Sequence, residues 1–131
     1  MIQIILTSHG PMAEAMISSA AMLYGEKDNV TALSLGEDDN IEEFHARMER
    51  LLHTNTGGEG SLILCDIPGG TPCNTAVRLA EEYSSIAVLA GMNMVMLLEA
   101  LLCDEETGLE ALAAILLESG RENLKRIIPV A

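Results

Sequence analysis

Two short segments of the sequence contain the residues whose types and order are suited to chemistry. The first, "TSHGP" (7–11), places His9 between an apolar run and a glycine-proline pair, and the second, "CDIPGGTPCN" (65–74), contains Asp66 followed by a glycine-rich turn. A neutral imidazole is a nucleophile near neutral pH, and a carboxylate bound to its other ring N–H fixes the tautomer and stabilises the cationic ring formed on attack. We therefore predict that His9 is a nucleophile and that Asp66 is its orienting carboxylate.

The glycine-rich turn of the second segment suits an anion. Gly69 and Gly70 let the backbone approach a ligand closely, and a helix that begins near Thr71 presents unpaired N–H groups and the positive end of its dipole. The spacing matches neither a Walker loop nor a G-x-G-x-x-G fingerprint. Plainer interpretations exist for each part, since His9 could be a hydrogen-bonded loop residue and Asp66 could cap the following turn. Their convergence at one place favours a phosphoryl-binding site.

The elements that must bring these segments together follow from the hydrophobic pattern. Alternating strands and helices predict a parallel sheet that is covered by helices on both faces. In such sheets ligands bind where the strand order reverses, which for the order 2-1-3-4 lies between the first and third strands, beside His9 and Asp66. Pro129 cannot donate a ladder hydrogen bond, so the last strand is expected at an edge. The predicted strands are 2–7, 30–35, 61–66, 85–90 and 126–130, with helices between the first four and two more at about 93–103 and 107–119.

Composition and charge limit the classes of function. The length of 131 residues fits one domain, 1–131, with a single sizeable core. The net charge of −13 opposes binding to nucleic acid or to an anionic membrane and favours a basic protein partner. Cys65, Cys73 and Cys103 show no C-x-x-C spacing, so neither a disulfide framework nor a metal site is predicted. With no long apolar run and no signal peptide, we expect a cytoplasmic protein.

The remaining candidate residues are assigned structural roles. His45 lies beside the apolar stripe of the second predicted helix and His53 at its C-terminal end, where the dipole favours a cation. Met92, Met94 and Met96 could form an adaptable docking surface, but core filling is the favoured interpretation. Cys65 and Cys73 are expected to be buried small side chains.

Three ordered segments resemble a known family. The stretches "SHGPMAEAM", "DIPGGTPCN" and "GMNMVMLLEAL" are similar to those of the IIA component of the mannose family of the bacterial sugar phosphotransferase system, and the resemblance extends over nearly the whole chain. It implies a flavodoxin-like fold with parallel strands in the order 2-1-3-4, an antiparallel C-terminal edge strand, and a homodimer that commonly exchanges this strand. It also implies that no metal or other cofactor is needed.

The resemblance further implies a reaction. In this family the histidine of the first motif accepts a phosphoryl group from the phosphocarrier HPr and passes it to a IIB component, which phosphorylates sugar entering through the IIC and IID membrane components. By match of motif, His9 is the acceptor and Asp66 orients it. The phosphoryl-binding residues are then Gly10, Gly69, Gly70 and Thr71.

Two other functions remain open at this point. One is the phosphotransfer subunit of a dihydroxyacetone kinase system, which has an early histidine in the same fold; "GGTPCN" and "NMVMLLE" favour the sugar-transport branch instead. The other is a non-catalytic flavodoxin-like module that binds an anion or regulates, with His9 as a ligand contact only. A flavin protein lacks support because the chain has no Trp, one Phe and two Tyr.

Overall fold

The computed structural model describes residues 1–55 and 58–130, so Thr56 and Gly57 of the predicted loop 53–60 lie outside the described residues, as does Ala131. In the described part of the chain, strands and helices alternate up to β4 and two helices follow. The elements are β1 (Gln3–His9), α1 (Met12–Tyr24), β2 (Val30–Leu35), α2 (Ile41–His53), β3 (Ser61–Cys65), α3 (Thr71–Glu82), β4 (Ile86–Ala90), α4 (Met94–Leu102) and α5 (Leu109–Glu122).

The four strands form a parallel sheet in the order β2-β1-β3-β4, which confirms the predicted order. In the register of the sheet, Ile4 of β1 lies opposite Val30 of β2 and Leu62 of β3. The first and third strands are therefore neighbours, and their carboxyl ends meet at one edge. His9 ends β1 at this edge and Asp66 directly follows β3.

Both faces of the two central strands are buried, which suits the apolar runs at 4–6 in β1 and 62–65 in β3. Because side chains alternate across a strand, Leu6 and Leu64 point into one cluster with α1, α4 and α5. Ile5 and Ile63 point into a second cluster with α2 and α3. These two clusters hold β1 and β3 rigidly, and with them the positions at which His9 and Asp66 emerge.

The predicted C-terminal edge strand at 126–130 does not form in the single chain. No strand or helix follows α5 in residues 123–130, and the side chains of Ile127 and Ile128 are 81% and 72% exposed. A strand exists only when its backbone pairs with a neighbour, and this segment contacts no sheet edge of its own chain in the described residues. None of the helices described is both long and apolar enough to cross a membrane.

Candidate functional site

His9 and Asp66 form a close pair where β1 and β3 end. The ring atom Nδ1 of His9 lies 2.7 Å from Oδ2 of Asp66, and the same oxygen accepts the backbone N–H of His9 at 2.9 Å. The other carboxylate oxygen accepts the backbone N–H of Ile67 at 2.9 Å. The Asp66 side chain is 9% exposed whereas that of His9 is 47% exposed. A nearly buried carboxylate therefore fixes the orientation of a ring that remains open to solvent, as the topology predicted.

The carboxylate also determines which ring nitrogen is free. Burial acts to raise the pKa of Asp66, but the hydrogen bonds from the backbone and ring of His9 and from the Ile67 amide outweigh it, so the pKa is lowered below its usual value. An ionised carboxylate can only accept hydrogen bonds, so Nδ1 of His9 must be the protonated nitrogen. In the neutral ring the lone pair is then on Nε2.

The start of α3 packs against this free nitrogen. A Cβ atom built on Gly70 would lie 2.8 Å from Cε1 of His9 and 3.4 Å from Nε2. Since the first distance is shorter than real Cβ contacts, a larger residue at this position would displace the ring. Gly70 is thus the residue that allows the helix start to lie directly beside Nε2.

The N-terminus of α3 is open. Gly70 precedes the helix and has no side chain with which to cap it, and Pro72 has no N–H to offer. The first N–H groups of a helix have no acceptor within it, so those of this turn remain directed at the space in front of the helix. Thr71, the first residue of α3, is half-buried and carries a hydroxyl that can serve as a further donor. The helix dipole and these donors together form an anion-binding environment next to the imidazole.

The connection that follows His9 is held by a serine that the sequence analysis missed. Ser8 is buried, its hydroxyl oxygen accepts the N–H of Ala13 at 2.9 Å, and its O–H donates to the carbonyl of Gly10 at 3.0 Å. It thereby caps α1, which begins directly after Pro11. Gly10 adopts a left-handed conformation with φ of +62°, and its N–H donates to the carbonyl of Leu35 at 2.8 Å. The amide of Gly10 is therefore already used, and its contribution is the turn.

The other candidates lie away from this pair or in the core. Cys65 and Cys73 are free and buried, as predicted, and burial raises the pKa of the Cys65 thiol. His53, at the end of α2, lies edge-on to the ring of Tyr83 with centroids 5.1 Å apart. The core-filling prediction is confirmed for the two most enclosed methionines of the cluster, Met92 and Met96.

Acidic side chains lie beside the site. Because β2 pairs in parallel with β1, and Leu35 lies opposite His9, the β2–α2 connection is at the same edge of the sheet as the imidazole. This connection contains Glu37, Asp38 and Asp39. The Asp39 carboxylate accepts a hydrogen bond from the N–H of Gly36, and its Oδ2 lies 3.6 Å from Nη1 of Arg47. The edge of the site therefore has a negative potential directed towards solvent.

The fold and this geometry define a class: a doubly wound α/β protein with an exposed histidine, oriented by a carboxylate, at an anion-binding helix start. The family model described as "PTS system fructose IIA component" matches residues 3–117. The chain belongs to this family, the EIIA components of the mannose type in the sugar phosphotransferase system (PTS), which confirms the resemblance found in the sequence.

Several relatives support the assignment. The chain is 34% identical to the PTS mannose-specific EIIAB component of Escherichia coli K12, over 96% of this chain and 39% of that protein. It therefore spans about two fifths of that relative's length. It is 31% identical to the PTS fructose-specific EIIA component of Bacillus subtilis 168, over 86% of this chain and 77% of that protein. The mannose/sorbose-specific IIA subunit from Enterococcus faecalis superposes with a TM-score of 0.91 at 32% identity, covering 98% and 96% of the two chains.

Proposed function

We propose that residues 1–131 act as one EIIA unit, a cytoplasmic phosphoryl carrier of a sugar phosphotransferase system. His9 accepts a phosphoryl group from phosphorylated HPr and passes it to a IIB component that serves the IIC and IID membrane components. The observation that carries the proposal is the 2.7 Å contact between Nδ1 of His9 and Asp66, which in the neutral ring leaves the lone pair on Nε2, beside the open start of α3. The family model and the relatives named above favour neither a dihydroxyacetone kinase subunit nor a non-catalytic module.

The proposed reaction is a direct transfer between two imidazoles. The lone pair of Nε2 attacks phosphorus, the Nε2–P bond of His9 forms, and the N–P bond of the donor phosphohistidine breaks with its electron pair returning to the donor ring. The proton on Nδ1 of His9 stays in place. Positive charge that develops on the ring is offset by Asp66, whose lowered pKa keeps it ionised. Transfer to the IIB component is the same step with His9 as the donor.

The turn before α3 is the proposed cradle for the phosphoryl oxygens. Gly69 and Gly70 bring the backbone close to the imidazole, and the N–H groups of the helix start and the Thr71 hydroxyl act as donors. These groups are aimed at negative charge before the reaction begins, which is the arrangement that lowers the barrier of phosphoryl transfer most effectively. We assign the phosphoryl-binding role to Gly69, Gly70 and Thr71, and a supporting role to the turn at Gly10.

The test is phosphorylation by purified enzyme I and HPr with labelled phosphoenolpyruvate. We expect the wild-type chain to incorporate label that is labile in acid and stable in base, as phosphohistidine is, whereas a merely bound anion does not survive denaturation. His9→Ala should incorporate none, while His45→Ala and His53→Ala should be labelled fully. Full labelling of the His9→Ala variant would refute the assignment.

The acidic edge supports a basic partner. Glu37 and Asp38, in the connection after β2, lie at the same edge of the sheet as His9 and increase the local concentration of a carrier that presents basic residues. This favours HPr docking over the β2 side of the site.

We further propose that the chain forms a homodimer through its C-terminal segment, residues 124–130. The side chains of Leu124, Ile127, Ile128 and Val130 are strongly exposed, and β4 is an edge strand of the sheet. The end of α5 is tied to the start of α4 by the Asn93 amide, which donates to the carbonyl of Gly120 at 3.4 Å. The segment therefore leaves the domain near the carboxyl end of β4, from which it can run antiparallel to the open edge of a second copy.

Sedimentation of the full chain and of a chain ending at residue 123 tests the dimer. We expect a dimer for the first and a monomer with the same far-ultraviolet circular dichroism for the second. A monomeric full chain, or an unchanged dimer after truncation, would remove the proposed role of the segment. The phosphorylation assay is independent of this result.

A further inference from the structure

We propose that Asn74 is a positioning residue that aims the N–H groups of Gly70 and Thr71 at the phosphoryl group on His9. The inference rests on the proposed function of His9 and concerns a residue of the first turn of α3 that lies outside the imidazole-carboxylate pair. Asn74 holds the two carbonyls that determine the direction of those N–H groups.

The backbone and the side chain of Asn74 donate hydrogen bonds to two consecutive carbonyls. Its backbone N–H donates to the carbonyl of Gly70 at 2.8 Å, which is the ordinary first bond of the helix. Its side-chain amide Nδ2 donates to the carbonyl of Gly69 at 3.1 Å. Both bonds come from one residue, and both end on the turn that lies against the imidazole.

Holding a carbonyl also fixes the N–H of the next residue. In a planar trans peptide the C=O and the following N–H point in opposite directions. Since the Gly69 carbonyl points at Asn74, the N–H of Gly70 points away from it, and the same holds for the Gly70 carbonyl and the N–H of Thr71. Both N–H groups are thus directed out of the helix start. A Cβ built on Gly70 would lie 2.8 Å from Cε1 and 3.4 Å from Nε2 of His9, so the residue that carries the first of these donors lies directly beside the ring.

The side-chain bond is the part that the fold does not otherwise supply. The backbone bond to the Gly70 carbonyl is one that any helix makes at its start. Gly69, in contrast, precedes the helix, is exposed and has φ of +82°, so no helix bond holds its carbonyl. Two successive glycines have the greatest backbone freedom of any pair, so the peptide between them can rotate unless it is held. Asparagine suits the position because its amide donates to a carbonyl, whereas an ionised aspartate only accepts.

Losing this bond should therefore loosen one preorganised donor without removing it. Removal of a whole oxyanion-hole donor lowers kcat by about 10² to 10³. For Asn74→Ala we expect kcat for transfer from phosphorylated HPr to fall about tenfold, with KM changed less than about twofold, because the donor is misdirected only part of the time while the docking surface is kept.

The matched control is Asn29→Ala. Asn29 makes the same type of bond, from its Nδ2 to the carbonyl of Ile2 at 3.0 Å, but near the opposite end of the sheet. We expect its kcat and KM to equal those of the wild type. Amide proton NMR supplies a second readout: the shift of the Gly70 amide on phosphorylation should be smaller in Asn74→Ala than in the wild type. The Thr71 amide should keep its wild-type shift, because the backbone bond from residue 74 to the Gly70 carbonyl remains, and both shifts should be unchanged in Asn29→Ala.

Three results would overturn the inference. These are an unchanged kcat in Asn74→Ala, a rise in KM with no fall in kcat, which would identify a docking contact, or a Gly70 amide shift on phosphorylation equal to that of the wild type. Failure of the proposed function is separately visible, because in that case the wild-type chain itself is not labelled on His9. Because Asn74 is exposed, we expect the variant to fold. Thermal unfolding verifies this before the kinetics are compared.

Discussion

Substitution of Gly70 by alanine is the sharpest test of how the imidazole is placed. The backbone at Gly70 has φ of −81° and ψ of 169°, a conformation that alanine adopts without strain. The added methyl group would lie 2.8 Å from Cε1 of His9 and 3.2 Å from Cγ1 of Ile67. The perturbation is therefore confined to contact between one methyl group and the two side chains next to it.

The size of the effect follows from the two distances around the ring. Carbon atoms in contact lie about 3.5 Å apart, so the ring must move by about 0.7 Å. It is held on its other side by the 2.7 Å bond from Nδ1 to Asp66, and hydrogen bonds to charged groups contribute about 1.5 to 3 kcal/mol. Because 1.4 kcal/mol corresponds to a factor of ten, partial or complete loss of this bond predicts phosphoryl transfer about 10- to 100-fold slower. Loss of the same bond should lower the free energy of unfolding by about 1 to 3 kcal/mol, partly offset by the smaller entropy of the unfolded chain with alanine.

Rapid-quench measurement of transfer from phosphorylated HPr provides the rate. Gly108→Ala is the matched control, since Gly108 precedes α5 with φ of −75° and ψ of 167°, and a Cβ built on it meets no atom within 4 Å. We expect this control to transfer at the wild-type rate and to change the free energy of unfolding by no more than about 1 kcal/mol. If Gly70→Ala also transfers at the wild-type rate, then close packing of α3 against the ring does not place Nε2, and the argument from this contact is refuted.

Three further outcomes follow from the site. Asp66→Asn should stay folded but transfer at least about tenfold more slowly, because an amide can hold the ring of His9 but cannot offset its positive charge; unchanged kinetics would remove the role of Asp66. Since the pKa of Asp66 is lowered by folding, its ionisation stabilises the fold fully above its ordinary value of 3.8, and this contribution is lost as the pH falls through the folded value. Wild type should thus lose more stability than Asp66→Asn on acidification from about pH 5 to pH 2 in a denaturation series, and parallel losses would contradict the shift. Raising the salt concentration should slow association with HPr, because salt screens the charges of Glu37 and Asp38. Association rates that do not change with salt concentration in stopped-flow measurements would exclude steering by these residues.

The order of the sheet could be predicted because it depends on features that a sequence displays. Apolar runs that alternate with amphipathic segments specify strands joined by crossover helices, and right-handed crossovers leave few arrangements. The end of α5 could not be predicted in the same way. Its helix was expected to stop at 119, before Gly120, but it continues to Glu122. Gly120 is buried, and a Cβ there would lie 2.7 Å from Cγ of Met96, so this glycine allows close helix packing rather than ending the helix.

The strand predicted at 126–130 is absent from the single chain for a different reason. Residues 126–130 have the apolar, β-branched composition of a strand, yet composition specifies only a tendency to pair. Whether a strand forms there depends on a sheet edge with which the segment can pair. In the described part of this chain, no strand of the sheet pairs with residues 126–130. That information belongs to an assembly and not to the local sequence, which is why the dimer is a proposal.

The pairing of His9 with Asp66 was predictable because it follows from chemical type and topology together. The hydrogen bonds that support the pair were not predictable. Ser8 and Asn74 each donate to the carbonyl of a glycine with positive φ, at Gly10 and Gly69 respectively. Such bonds have no periodicity in sequence, and they become visible only when the two connections adopt their turns.

The repetition of this arrangement explains how the site reconciles two opposed demands. A carrier that meets two protein partners in turn needs an exposed nucleophile, and exposure normally leaves a side chain free to reorient. Here the His9 ring is half exposed, yet the two connections that flank it, after β1 and after β3, each have a left-handed glycine whose carbonyl is held by a nearby side chain. The ring is therefore positioned by the backbone of the two turns and by the polar side chains that bind them, and its solvent-exposed side remains accessible to a partner. It follows that substitutions at these connections should impair transfer far more than substitutions of equal size on the outer surfaces of the helices.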